Sequence, residues 1–148
     1  MTDLEKLLTW LKTYPGFTQE VTVSVDYTDG VPGSCGVFPL GLEEIDRQTD
    51  VLGNVKIHCR YTFALHRVTT GQQDETENAA WLLGFQNWVQ QQSAAAKTPR
   101  FGDVPEREAM RAQKGKLKEA SQTGTGVYVV TLTADFIKIY EVNENGEN

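Results

Sequence analysis

From Val55 the chain alternates over twelve positions. Val55, Ile57, Cys59, Tyr61, Phe63 and Leu65 are apolar, and Lys56, His58, Arg60, Thr62, Ala64 and His66 stand between them. Successive side chains of a strand point to opposite faces, so this pattern predicts a strand with one face packed and the other facing water. Strands usually run ~5–6 residues, so one end of this strand is expected to project beyond the domain as half of a hairpin, entered through a turn at Gly53-Asn54. A chain built around such a strand needs cover on one side of a sheet only.

The remaining periodicities supply that cover. Thr2 and Glu5 have capping-box spacing, and Leu4, Leu7, Leu8, Leu11 and Tyr14 recur at three and four residues until Pro15-Gly16 stops the helix. Asp74 and Glu77 repeat the start signal after a turn over 71–74, and Trp81, Leu82, Phe85, Trp88 and Val89 then form a broad apolar stripe. Its aromatics are read as a core seam, packed against strand residues such as Tyr61, Phe63, Val130 and Leu132. Two further segments alternate as strands, one with Val21, Val23, Val25 and Tyr27 on a face, and a long last one from Val127 to Val142 with Thr131, Thr133 and Asp135 on its wet face. Residues 28–36 read as a loop. Pro39 and Gly41 interrupt the next stretch, which is expected to become an irregular strand only from about Glu43; residues 100–126, rich in charge, are expected to form a mobile loop or a short helix. The sum is an α+β domain over 1–142, an antiparallel sheet with two main helices packed on one face and long projecting strands, followed by a polar tail over 143–148.

The chemistry-bearing residues do not converge. His58 and His66 share a strand face but stand about 26 Å apart at ~3.3 Å per residue, too far to share a metal ion, and Cys59 points away from His58. The two cysteines, Cys35 and Cys59, are read as core thiols. No nucleophile elbow, zinc-protease helix or phosphate-binding glycine loop is present, and the carboxylates of Glu43-Glu44-Ile45-Asp46 are read as a solvated rim. No catalytic residue, metal or cofactor is expected. Twenty acidic residues against fourteen basic ones give a net charge of -6, which disfavours tight binding to a phosphate backbone. No window approaches the ~20 apolar residues of a membrane span, and the first residues lack a signal-peptide layout, so a cytoplasmic origin is expected.

Several short runs resemble a family of phage and prophage proteins. They are Val25-Asp26-Tyr27-Thr28-Asp29, Gly36-Val37-Phe38-Pro39-Leu40-Gly41, Asp50-Val51-Leu52-Gly53-Asn54-Val55, Arg60-Tyr61-Thr62-Phe63-Ala64-Leu65, Trp88-Val89-Gln90-Gln91-Gln92-Ser93 and Ala120-Ser121-Gln122-Thr123-Gly124-Thr125-Gly126-Val127-Tyr128. Members are minor capsid or tail-completion proteins and look like tail terminators of long-tailed phages. The resemblance covers the chain from about Leu4 to Val142. It implies a structural virion protein, assembled in the bacterial cytoplasm, that forms a ring of six at the head-proximal end of the tail tube and stops its growth. It also implies three kinds of partner: the tail tube protein, neck or head completion proteins, and phage DNA that passes through the pore without sequence-specific binding. No membrane is involved. A head–tail connector component, adaptor or stopper, is the neighbouring structural reading; a small phage enzyme or host-directed inhibitor is the other class.

If subunits form a ring, the overlong strand is the natural contact. The residues expected there are Glu43, Glu44, Arg47, Lys56, His58 and Arg60, with the basic side chains of one subunit meeting Glu43 and Glu44 of the next.

Overall fold

The computed structural model describes residues 1–16, 23–25, 35–70, 75–120 and 125–142. Helix α1 (Asp3–Leu11) begins at a capping box: the Thr2 hydroxyl accepts from Glu5 N at 3.1 Å, and Thr2 N donates to the Glu5 carboxylate at 3.2 Å. These contacts satisfy two backbone donors that a helix start leaves open. Leu7 and Leu11 are fully buried. Trp10, outside the leucine stripe read from the sequence, is buried too; it stacks on Trp88 at 4.7 Å and donates through Nε1 to Gln92.

Five strands form one sheet: β1 (Val23–Val25), β2 (Cys35–Thr49), β3 (Val55–Thr70), β4 (Ala109–Ala120) and β5 (Thr125–Tyr140), in the order β1-β2-β3-β5-β4. β1 lies parallel to β2 at Val23–Val25 against Cys35–Val37, and all other pairs are antiparallel. Helix α2 (Glu75–Ala94) joins α1 on one face, so the architecture is α+β with an antiparallel sheet of four long strands. The turn read over 71–74, the helix start at Asp74, residues 28–34 of the loop read over 28–36 and the tail over 143–148 lie outside the described residues, while Cys35 and Gly36, the end of that loop reading, belong to β2.

The core is the helix-bearing face. β3 contributes Ile57, Cys59, Phe63 and Leu65, β5 contributes Val130, Leu132, Ala134 and Phe136, and both meet Leu7 and Leu11 of α1 and Phe85 and Val89 of α2. Phe85 is fully buried, with Trp81 and Trp88 half-buried beside it. The rings of α2 meet those of α1 and its exit: Tyr14 sits 5.3 Å from Phe85 and 5.0 Å from Trp88. Tyr61, expected beneath α2, instead packs on Phe101 and Phe136 and donates to Asp3 at 2.6 Å. That bond holds the start of α1 to the sheet.

Two readings of the sequence are corrected. β2 begins at Cys35, not near Glu43, and passes through Pro39 and Gly41 by means of register shifts at Pro39/Gly41 and Glu44/Asp46. Proline is tolerated beside a bulge on a strand paired on one side, and past Val37 no described strand pairs the second side of β2. The second correction concerns residues 100–126. The described residues among them hold one 3-10 turn (Pro105–Arg107), the start of β5 and the strand β4, whose polar sequence is that of a sheet edge. The approach to β4 is tightly built. Phe101 N and Gly102 N donate to Glu108 at 2.8 and 2.7 Å, and Asp103 N donates to Ile137 O at 2.7 Å. A side chain at Gly102 would put its Cβ 2.3 Å from that carbonyl oxygen, so only glycine fits.

The projection is three-stranded. Thr49 pairs with Val55 and Val55 with Tyr140, and Val142 N reaches Asn54 Oδ1 at 2.9 Å, so β5 supports the β2–β3 hairpin to its tip.

Candidate assembly surface

The arm formed by the far ends of β2, β3 and β5 carries all six residues singled out for a subunit contact, but not on one surface. The bulge between Glu44 and Asp46 inserts a residue into β2 and changes which side chains share a face. Glu43 pairs with Arg60, Asp46 with His58 and Gln48 with Lys56, all on the face opposite the helices. Glu44 and Arg47 pair with Cys59 and Ile57, on the helix-bearing face.

Both arginines already have carboxylate partners within the chain. Arg47 grips Glu44 through Nε at 2.6 Å and Nη2 at 3.2 Å. Arg60 makes the same bidentate grip on Asp135, at 2.6 and 2.9 Å, and His58 Nε2 lies 3.1 Å from the second oxygen. The Arg60 hydrogen bonds outweigh the desolvation of Asp135 and hold its carboxyl below the usual aspartate range. Hydrogen bonding to Arg47 likewise lowers Glu44. Asp135 was legible only as a wet-face residue of the last strand. Its role as the hub for His58 and Arg60 depends on the β3–β5 register, which no local pattern encodes.

The tip is fixed by a second aspartate. Asp50 accepts from Leu52 N and Asn54 N at 2.9 Å each and from the Asn54 amide at 3.0 Å, while Gly53 takes a φ of +91°. The turn therefore presents Val51, fully exposed, and Leu52, 77% exposed, in a fixed geometry. Along β2, every residue from Pro39 to Thr49 is exposed, including Leu40 at 62% and Leu42 at 60%. Where the arm meets α1, Leu4, Pro39, Leu42, Tyr61 and Phe63 line an apolar groove of about 230 Å³.

The described residues include no group of three or more histidines, cysteines or carboxylates placed to hold a metal ion. Burial pushes the Cys35 thiol up to about 12 and raises Cys59, which keeps both protonated. No described helix is long and apolar enough to cross a membrane. The chain matches no family model and no curated protein sequence.

Proposed function

We propose that this protein is a structural ring subunit, a tail terminator of a long-tailed phage or prophage, as the sequence resemblance implies. The observation that supports this reading is the arm: a three-stranded projection whose outer strand is exposed at every position from Pro39 to Thr49 and ends in an apolar tip. The exposed apolar side chains along it, Leu40 and Leu42 with Val51 and Leu52 at the tip, suit a chain that buries them against a neighbour. Six copies would close a ring on the head-proximal end of the tail tube, stop its polymerisation and present a seat for neck or head completion proteins. The net charge of -6 suits a pore through which DNA slides without being held.

The test is reconstitution with the tail tube protein. Tubes grown with this protein should have a narrow length distribution and a ring at one end only. Tubes that grow to the same broad lengths with and without it would overturn the assignment, and a ring bound to the portal side in place of the tube would make it a connector component.

A further inference from the structure

The two edges of the sheet carry opposite charge. β2 has three acidic residues, Glu43, Glu44 and Asp46, against Arg47 alone; β4 has four basic residues, Arg111, Lys114, Lys116 and Lys118, against Glu119 alone. Past Val37, where β1 ends its pairing, no described strand pairs the acidic edge, and none pairs the outer side of β4. We infer that β4 of one copy adds to the open edge of β2 in the next, joining the sheets of neighbouring subunits into one.

Geometry, face and charge each favour this pairing over its alternatives. β2, β3, β5 and β4 alternate in direction, so β2 and β4 run oppositely within a chain. Rotation about an axis roughly along the strands then brings β4 against the next β2 as an antiparallel pair, and repeating the operation closes a ring. Register places Arg111 opposite Thr133, and through Thr62 on the face that also carries Glu43 and Asp46. Those two carboxylates make no ion pair among the described residues, unlike Glu44 and Asp135. Like edges repel, since two β2 strands would juxtapose acids and two β4 strands would juxtapose lysines. The charge pattern therefore selects the head-to-tail contact and rejects the two-fold dimer. Arg47 and Arg60, whose guanidinium groups are held within their own chain, are not the cations of this contact.

This inference rests on the ring reading, and charge exchange separates the two. One variant carries Glu43→Lys with Asp46→Lys, so that both its edges are basic; a second carries Lys114→Glu with Lys116→Glu, so that both are acidic. Each alone should stay monomeric where the wild type forms rings, with half-assembly requiring at least ~10-fold more protein, because a like-charge juxtaposition costs several kcal/mol. Mixed in equal amounts, the two should again form rings, with the variants alternating. Thermal melting checks that each subunit is folded; should lysines at 43 and 46 unfold the arm, the milder Glu43→Gln with Asp46→Asn must still weaken assembly. Rings formed as readily by either single variant, or folded variants that fail to assemble when mixed, would overturn the edge pairing and leave the ring reading standing. A wild-type protein that stays monomeric with its tube partner would overturn both.

Discussion

Truncating Phe85 to alanine tests whether α2 is fixed to the sheet or offers its aromatic face to a partner. The ring is fully buried, with Trp81 stacked on it at 5.4 Å and nearly parallel, Tyr14 edge-on at 5.3 Å and Trp88 at 6.1 Å. None of the three can close the gap without losing its own contact: Trp88 also stacks on Trp10, and Tyr14 touches all three α2 rings. The site should therefore collapse poorly, which places the cost in the upper part of the ~3–5 kcal/mol observed for a buried Phe→Ala change. For a domain of this size, each kcal/mol lowers the melting temperature by about 2–4 °C, so a fall of roughly 8–20 °C is expected. Circular dichroism in a thermal scan reads it. Phe85→Leu, which fills part of the volume, should lie between the two. An Ala variant that melts with the wild type would show that this helix face is not part of the core.

Other outcomes follow from the charge hub and the loops. Arg60→Glu sets a second carboxylate directly opposite Asp135, so it should lower the melting temperature of the monomer, which makes it a folding variant and unfit as a probe of assembly. Asp135 titrates below its ordinary value of 3.8, so its pairing stabilises the fold above that pH and is lost as pH falls through the lowered value. Asp135→Asn should accordingly be less stable at neutral pH and show a shallower acid limb in a pH series of melts. Gly102→Ala, with no room for a Cβ beside Ile137 O, should destabilise and expose the 101–108 segment to protease. Asp50→Ala removes three hydrogen bonds from the tip and should increase hydrogen exchange at Leu52 and Asn54 with little change in melting temperature.

The parts of the fold that could be read in the sequence are those with one dry face. β3 and β5 alternate because helices cover one side of them, and α1 announces itself through a hydroxyl and a carboxylate three residues apart. β2 escaped that reading because its arm is exposed on both sides, so no alternation is imposed on it, and because its two bulges shift the period where it might have shown. β4 escaped because an edge strand is selected for charge, and its lysines imitate a loop. The same bulge explains the candidate residues. Glu43, Glu44, Arg47, Lys56, His58 and Arg60 are neighbours along two strands, yet alternation alone puts Glu44 on the helix side, and the extra residue at Glu44/Asp46 sends Arg47 there as well. Which acid neutralises which base was equally hidden, since the hub Asp135 lies 75 positions from Arg60 and meets it only through the β3–β5 register.

Native mass spectrometry of the purified protein over a range of concentrations, with electron microscopy of the same sample, tests the central claim most directly. The account requires one closed species of six chains, seen as a ring with an open centre, forming more readily at low salt than at high salt because opposite edges attract. A protein that remains monomeric at every concentration and ionic strength, alone and with a tail tube protein, would contradict it.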